Sequence, residues 1–295
     1  MLQGQESPGD GKSPSALPEI PQVPAAQRAI GKLALKFQHD SASLRTRIAT
    51  FYQEGCLKAR LPRPVRADIC DAVMMNISGG IAGGDALSVA IDLAAGAQAC
   101  VAGQAAERVY RAAGAEPARL QTLIRVETGA TLHYLPQDTI LFDGFALARS
   151  LNIELATDAH YIGVESLVFG RQAMGESVRT GHLRDQISLR RGGKLVFQDM
   201  IRLDGDIQAV LARKAVANGA IAMASMIYAC ENAATQLDAV RAAVQDHGCE
   251  AGATMLEGLL LVRLLAPSSA RLRAGLNAAL HICREGRALP RVWQG

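Results

Sequence analysis

The chain has 295 residues, a mass of 31.2 kDa and a formal net charge of +3. Lysines and arginines only slightly outnumber the acidic residues, and they are dispersed along the chain, so they do not predict a nucleic-acid-binding protein. A chain of this length can bury a core without disulfides or metal, as one large domain or two ordinary ones. The longest apolar run, residues 220–230, is too short to cross a membrane, so we expect a soluble protein.

The first 27 residues contain five prolines among glycine, serine and glutamine, and they show no apolar periodicity. Such a composition cannot repay the entropy of ordering, so we expect a disordered Pro-rich tail over residues 1–30 and a domain over residues 31–295. The N-terminus lacks the basic and apolar regions of a secretory signal, and the six cysteines form no C-x-x-C pair. These features predict a cytoplasmic protein with reduced thiols.

Residues 31–232 are predicted to be rich in β-strands. Segments such as 44–52, 120–126 and 187–191 alternate apolar and polar residues near period two, and glycine pairs or prolines separate them. Residues 104–113 contain good helix formers but have strand-like neighbours, so helix and strand both stay open there.

A weak repeat runs through this β-rich part. Residues 91–97 read I-D-L-A-A-G-A, residues 153–159 read I-E-L-A-T-D-A, and V-E-T-G-A lies between them. Gln104 follows the first copy, and Gln137 follows the middle one, at the same offset. A period of about 30 residues favours stacked β-coils, a solenoid-like architecture, or a layered sandwich over chance similarity.

The last part, residues 233–295, is predicted to mix helix and strand. Apolar residues recur on one helical face over residues 235–246. A strand region interrupted by one glycine follows at 249–265. Residues 270–284 predict a second helix, because a serine pair before them offers an N-cap and a glycine follows them. The chain as a whole is therefore predicted to be mainly β with two helices near the C-terminus.

The most distinctive segment is N-I-S-G-G-I-A-G-G-D, residues 76–85. Its four glycines permit a tight turn and could present N–H groups to an anion. No lysine follows, and Asp85 leads into a strand-like run, so neither nucleotide-binding fingerprint is matched. A structural turn is the favoured interpretation.

Catalytic and metal-binding patterns are missing from the sequence. The histidines and cysteines offer only two His-x-Cys pairs, His247/Cys249 and His281/Cys283, and residues two apart do not share a helical face. No zinc-protease or EF-hand spacing occurs, and Ser78 does not lie in a G-x-S-x-G elbow. The sequence therefore predicts no catalytic residue and no firm metal site.

Five segments, taken in order, resemble the UreD/UreH family of urease accessory proteins. Each fits a family pattern: N-x-S-G-G-x-x-G-G-D, Q-A-A-E-[KR]-V-Y-R, L-P-Q-[ED]-T-I-L-F, E-x-x-x-F-G-R-x-A-x-G-E and P-R-[VIL]-W. They occupy residues 76–85, 104–111, 135–142, 165–176 and 290–293. The resemblance covers residues 31–295. Family members often have threonines where Ala102 and Gly103 stand, and a tryptophan where Tyr134 stands.

The resemblance implies a β-rich scaffold or chaperone that is not an enzyme. Such proteins bind a UreF-type accessory protein, a UreG-type GTPase through it, and apo-urease, and they assist nickel insertion. Ni²⁺ would be in transit, with no cofactor held tightly. Two alternatives stay open: a nickel metallochaperone with its own tight site, and an enzyme that uses the Gly-rich loop.

Sparse carboxylates attract Ni²⁺ and release it more readily than clusters of His and Cys do. Four acidic residues in or directly after the motif segments are therefore candidates for a nickel passage or an interface, although such residues also cap turns. They are Asp85, Asp143, Glu165 and Glu176. The motif residues with an expected structural role are Gly79, Gly80, Gly83, Gly84, Gln104, Gln137, Gly170, Arg171 and Gly175.

Overall fold

A computed structural model describes residues 28–63, 69–171 and 174–294. The chain is mainly β, with solenoid-like stacking of strands and a few helices near the C-terminus, which confirms the predicted fold class. The tail predicted to be disordered, residues 1–30, lies almost entirely outside the described residues. The predicted division of the domain at residue 232 stays a prediction.

Strands in chain order are β1 (Ile30–Asp40), β2 (Arg45–Gly55), β3 (Leu57–Arg60), β4 (Cys70–Asn76), β5 (Ala86–Leu93), β6 (Gln98–Gly103), β7 (Glu107–Val109), β8 (Ala118–Val126), β9 (Thr131–Leu135), β10 (Thr139–Leu141), β11 (Phe145–Leu155), β12 (His160–Phe169), β13 (Thr180–Arg191), β14 (Lys194–Asp206), β15 (Ala222–Ala229), β16 (Glu250–Leu256) and β17 (Leu259–Ala266). The α-helices are α1 (Ile207–Ala212), α2 (Leu237–Ala243) and α3 (Ser269–Cys283), and short 3-10 helices span Ala233–Gln236 and Arg291–Trp293.

The strands form two sheets. The first sheet has the order β14-β13-β11-β8-β5-β1-β2. The second has the order β16-β17-β15-β12-β9-β6-β4-β3, with β10 paired to β12 and β7 paired to β10. Central neighbours are parallel, because the chain passes from one sheet to the other and back in successive coils. Antiparallel pairs close the edges of the first sheet.

The weak sequence repeat corresponds to one coil of this stack. Leu93, Val126 and Leu155 end neighbouring strands in the same register. At the corner that follows, the Gly96 N–H donates to the carbonyl of Thr128 at 2.9 Å, which ties two successive coils together. The stacked-coil interpretation of the repeat is thereby confirmed.

The two faces of the second sheet pack against different partners. One face packs on the first sheet, and the inward residues of β11 such as Leu147, Leu151 and Ile153 belong to this core. The opposite face packs against the C-terminal helices, where Val240 of α2 and Leu276 of α3 are fully buried. The second sheet is therefore a central layer whose residues can reach the interior between the sheets.

The sequence predicted the helices near the C-terminus, but it left helix and strand open for residues 104–113. The Ser268 hydroxyl accepts a hydrogen bond from the Arg271 N–H, so α3 has the predicted N-cap. Within residues 104–113 the chain forms β7, not a helix, because pairing with β10 overrides the helix propensity. The short helix α1 was not predicted. Among the described residues, no helix is long and apolar enough to span a membrane.

Candidate functional site

Four of the five motif segments meet on one exposed surface, although the chain separates them widely. The Tyr110 hydroxyl donates to the Gly79 carbonyl at 2.9 Å, and the Tyr110 ring packs edge-on against Phe142 with centroids 5.0 Å apart. The Arg171 guanidinium lies 4.6 Å from the centroid of the Phe142 ring. We call this the motif surface; its residues are Gly79, Tyr110, Arg111, Phe142, Asp143, Arg171, Glu176 and Arg179.

Asp143 organises one side of the motif surface. Its Oδ1 accepts hydrogen bonds from the backbone N–H groups of Arg179 at 2.8 Å and Thr180 at 3.0 Å. Its Oδ2 pairs with the Arg111 guanidinium at 2.7 Å. The hydrogen bond from Thr180, then that from Arg179 and the charge of Arg111, lower the pKa of Asp143. The carboxylate is thus ionised and already supplied with donors.

Glu176 organises the other side of the motif surface. Its Oε2 accepts from the Arg171 Nε at 2.8 Å and from the Arg171 backbone N–H at 3.2 Å, and these bonds lower the pKa of Glu176. Gly170 lies beneath this loop with φ +85, and a Cβ there would be 2.5 Å from the Glu176 carbonyl oxygen. Only glycine fits at that position.

The arginines of the motif surface project into solvent while the two carboxylates lie beneath them. The exposed side-chain fractions are 66% for Arg111, 78% for Arg179 and 47% for Arg171, against 13% for Asp143 and 18% for Glu176. Phe142 is buried below them, and Met174 is exposed beside them. The surface therefore presents positive charge beside two exposed side chains with apolar parts, Tyr110 and Met174.

The Gly-rich loop is a turn held by hydrogen bonds to the rest of the protein. The buried Asp85 carboxylate accepts from Ala29 N–H at 2.8 Å and from Ala82 N–H at 2.7 Å, so it ties the loop to the chain before β1. The Ile81 N–H donates to the Arg108 carbonyl. The Ser78 hydroxyl lies within hydrogen-bond distance of the Asn76 side chain and the Gly80 carbonyl. The N–H groups of Ile81 and Ala82 are therefore not free to cradle an anion.

Glu165 lies in the interior, in a cluster with Arg149 and Asp185 that we call the interior ion cluster. Arg149 binds Asp185 in a bidentate manner, with N–O distances of 2.8 and 2.6 Å, and its Nη1 lies 2.6 Å from the Glu165 carboxylate. The exposed side-chain fractions are 6% for Arg149, 10% for Glu165 and 5% for Asp185. Thr139 accepts a further hydrogen bond from Arg149 at 3.1 Å.

Burial and the neighbouring charges act in opposite directions inside the cluster. Burial, together with the charge of Asp185, raises the pKa of Glu165 to about 7, although Arg149 favours the ionised form. Burial also disfavours the charged form of Arg149, but Asp185 and Glu165 outweigh it and raise the pKa of Arg149. Arg149 therefore stays charged at every pH at which the protein is folded.

The interior ion cluster lies between two cavities, because Arg149 and Glu165 line both. The larger cavity, about 660 Å³, lies on the side of β13–β17 and also contacts Asp199, Glu250 and Arg263. The smaller cavity, about 100 Å³, extends toward Glu107 and Asn76 at the base of the Gly-rich loop. Burial raises the pKa of Glu107 to about 6.

The fifth motif segment docks against the third at the end of the chain. The Gln137 side-chain amide donates to the Val292 carbonyl at 2.7 Å and accepts from the Arg273 guanidinium at 2.6 Å. Arg273 also lies 4.0 Å from the centre of the buried Trp293 ring, and the indole N–H donates to the Leu135 carbonyl at 2.9 Å. We call Gln137, Arg273 and Trp293 the C-terminal clamp.

The described residues contain no group of three or more His, Cys, Asp or Glu side chains placed to hold a metal ion. His281 is exposed while Cys283 is buried, so this His-x-Cys pair faces two directions, as its spacing in α3 predicts. In the other pair, the His247 ring hydrogen-bonds to the Ala243 carbonyl at 3.0 Å, and the Cys249 thiol to the Arg271 carbonyl at 3.1 Å.

Comparison with known proteins agrees with this arrangement of motifs. The family model described as UreD urease accessory protein matches residues 29–294. The chain belongs to the UreD family. A protein of Methylobacterium sp. (strain 4-46) named urease accessory protein UreD is 42% identical over 279 residues, which cover 93% of this chain and 98% of the relative. A protein of the same name from Rhodopseudomonas palustris (strain ATCC BAA-98 / CGA009) is 40% identical over 92% of this chain and 95% of its own length.

In this UreD family member the four predicted acidic residues fall into three environments. Asp143 and Glu176 lie together on the motif surface, Asp85 holds the turn, and Glu165 lies inside the molecule. The Gln104 side chain is exposed, and its backbone N–H donates to the Met74 carbonyl. The remaining glycines of the motifs adopt positive φ, apart from Gly83, where a Cβ would lie 2.6 Å from the Glu116 carbonyl oxygen.

Arg149 and Asp185 were missed because they lie in no motif. A signal for them was present in the sequence. Along β11 the inward positions alternate as Leu147, Arg149 and Leu151, and in β13 Asp185 lies between two inward apolar residues. Charged residues in phase with the apolar set of a strand predict a buried ion pair.

Proposed function

We propose that this UreD family member is a non-enzymatic cytoplasmic scaffold that binds a UreF-type accessory protein, a UreG-type GTPase through it, and apo-urease, and assists nickel insertion. The observation that carries this proposal is the motif surface. Three exposed arginines lie beside the exposed Tyr110 and Met174. Asp143 and Glu176 pair with these arginines and hold them in place. A surface that combines arginine with aromatic side chains is typical of protein interfaces.

The motif surface is suited to docking more than to metal transport. The oxygens of Asp143 and Glu176 already accept hydrogen bonds from backbone N–H groups or pair with arginine. A passing cation would have to displace these donors beside three positive charges. We therefore assign both residues to the proposed interface, and we assign Asp85 to the turn.

The interior is better suited to a nickel passage. Glu165 lines both cavities, Asp185 lines the larger one, and Glu107 lines the smaller one. Carboxylate oxygens bind Ni²⁺ less tightly than cysteine and histidine clusters, so they suit a cation in transit. Glu165 is the one predicted acidic residue that the proposed passage retains.

The test compares partner capture by an arginine double variant with capture by a single-arginine control. Arg111→Ala combined with Arg179→Ala is expected to reduce capture of a UreF-type partner in pull-down assays, and to reduce urease activation in cells that express the urease operon. Arg45→Ala is the matched control, because Arg45 is also exposed but lies at the opposite end of the strands of the first sheet. Normal capture and activation by the double variant at normal protein level would contradict the proposed interface.

The same preparations separate the scaffold from a metallochaperone with a tight site. Equilibrium dialysis of the isolated chain against Ni²⁺ is expected to show no stoichiometric binding at submicromolar concentration. Tight, stoichiometric binding by the isolated wild-type chain would favour the metallochaperone instead. Turnover of a nucleotide or ester by the purified chain would favour an enzyme.

A further inference from the structure

Two adjoining cavities open on the motif surface. The larger, of about 630 Å³, lies against Arg111, Arg179 and the two carboxylates, and the smaller has a volume of about 430 Å³. Tyr110, Phe142 and Arg171 line both cavities, so the two meet at these three side chains. We call the two cavities together the motif groove, and the smaller one its apolar part. Residues of the apolar part include Arg108, Ile140, Phe142, Val168, Arg171 and Met174.

The motif groove carries an excess of positive charge. Its four arginines are all exposed; they are Arg108, Arg111, Arg171 and Arg179. Its two carboxylates are ionised, because hydrogen bonds lower the pKa of both Asp143 and Glu176, so the net charge is +2. None of the described residues that line the apolar part is acidic. A ligand with an excess of carboxylates is therefore complementary in charge to the groove.

The floor of the apolar part consists of hydrophobic side chains from two paired strands. Phe142 and Val168 are buried, and Ile140 of β10 is in register with Val168 of β12. Met174 lies over this floor with 73% of its surface exposed. A methionine side chain is flexible and adapts to the shape of an inserted group. The apolar part therefore fits one large aliphatic or aromatic side chain from a ligand.

Two of the arginines are already oriented before any ligand arrives. Asp143 holds Arg111 at 2.7 Å, and Glu176 holds Arg171 at 2.8 Å. A guanidinium has several N–H donors, so a second carboxylate can bind to the donors that these pairs leave open. Because these side chains are already held, less conformational entropy is lost on binding.

We propose that the motif groove binds an acidic segment of a partner protein, one that inserts a large apolar side chain between Ile140, Phe142 and Met174 and places carboxylates against the arginines on both sides. The proposal rests on the proposed docking role of the motif surface, and it names the chemistry of the segment recognised there. A nucleic acid matches the groove less well, because two of the four arginines are already paired with carboxylates and a phosphate backbone requires several unpaired cations.

The first test reverses one charge and follows binding of the UreF-type partner by biolayer interferometry. Arg108→Glu is expected to lower the association rate constant at least fivefold at low salt, and Arg108→Gln to lower it less. Arg45→Glu is the matched control, because Arg45 is equally charged and exposed but lies outside the groove, and it should change the rate less than twofold. Added salt should slow association of the wild type. Equal rates for Arg108→Glu and Arg45→Glu, or a wild-type rate that does not depend on salt, would overturn the proposal.

The second test concerns the apolar side chain of the segment. Met174→Gln is expected to speed dissociation of the partner several-fold, whereas Met174→Leu, which keeps an apolar surface, should dissociate at nearly the wild-type rate. Met200→Gln is the control, since Met200 is also exposed but lies on β14, away from the groove. Equal dissociation rates for Met174→Gln and Met174→Leu would show that no apolar side chain is bound there, and the proposal would fail.

These measurements separate the proposal from the proposed function. If the wild-type chain captures the partner while Arg108→Glu and Met174→Gln behave like their controls, the acidic segment is wrong and the docking role is unaffected. If the wild-type chain captures no partner, the proposed function fails, and this proposal fails with it. A short single-stranded RNA is added as a competitor. If it blocks capture and binds the wild type but not Arg108→Glu, the groove recognises nucleic acid and the proposal is overturned.

Discussion

The motif surface and the interior ion cluster both contain arginine–carboxylate pairs, but the two regions use them differently. On the motif surface, Arg111 pairs with Asp143 while two-thirds of its side chain stays in solvent. In the interior, Arg149 pairs with Asp185 while both side chains are almost fully buried. An exposed pair contributes about 0–1 kcal/mol and a broken buried pair costs about 3–5 kcal/mol. The surface pairs therefore contribute little to stability and position side chains for recognition, whereas loss of a charge in the interior ion cluster would destabilise the core.

The largest effect is expected for Arg149→Ala. It leaves Glu165 and Asp185 buried without their counter-ion, so the free energy of unfolding should fall by about 3–5 kcal/mol at pH 8. At pH 6 the loss should be smaller, because Glu165, whose pKa is already raised to about 7, can take up a proton. Urea unfolding at the two pH values measures both quantities. An equal loss at pH 6 and pH 8 would show that the carboxylates do not titrate with the cluster.

The C-terminal clamp lies between these two extremes, because the Arg273 side chain is 21% exposed whereas the Trp293 ring is buried. Trp293→Ala removes a buried indole, its hydrogen bond to Leu135 and the stacking of Arg273. The expected loss of stability is about 3 kcal/mol. Arg291→Ala, in the same 3-10 helix but exposed, is the control and should cost under about 0.5 kcal/mol. Similar unfolding midpoints for the two variants would show that the clamp is not anchored by the ring.

Glu107, which lines the smaller cavity, tests whether burial raises the pKa of a carboxyl group outside the interior ion cluster. Its pKa is raised by burial to about 6, so the stability that it contributes is present below pH 4.5 and is lost as the pH rises through 6. Glu107→Gln keeps an acceptor for Asn76 and removes this titration. The variant should be more stable than wild type by about 1–2 kcal/mol at pH 8 and equal to it near pH 4.5. Identical pH profiles of the melting temperature would contradict the raised pKa.

The sequence predicted the coils of the fold because each coil carries its own local signals. Alternation gave the strands, Gly96 and Gly129 marked the corners, and the serine before α3 marked its start. Pairing between distant strands was not predictable in this way, and β7 formed where local propensity also allowed a helix. Strand pairing depends on contacts between distant residues, which propensity does not encode.

The candidate site was predictable only in part, for a similar reason. The resemblance identified Asp143 and Glu176, but it could not show that both meet Arg111 and Arg171 on one surface. It included Glu165 and gave no indication that Glu165 is buried. Arg149, the partner of Glu165, lies outside every motif. Only its position among the inward apolar residues of β11 indicated that it is buried. The strand pattern therefore indicates which charged residues are buried, whereas the motifs do not distinguish buried residues from exposed ones.

The smallest effects on stability are expected on the motif surface, where Asp143→Ala and Arg111→Ala form a matched pair. Asp143→Ala removes the acceptor for the Arg179 and Thr180 N–H groups and should cost about 1 kcal/mol, the amount expected for a lost turn or cap bond. Arg111→Ala removes only an exposed partner and should cost under about 0.5 kcal/mol. If the surface docks a partner, both variants should weaken partner capture by about the same factor, because Asp143 acts there by holding Arg111. Capture that falls only for Asp143→Ala, in step with its lower melting temperature, would mean that Asp143 maintains the fold of the loop and that Arg111 takes no part in docking.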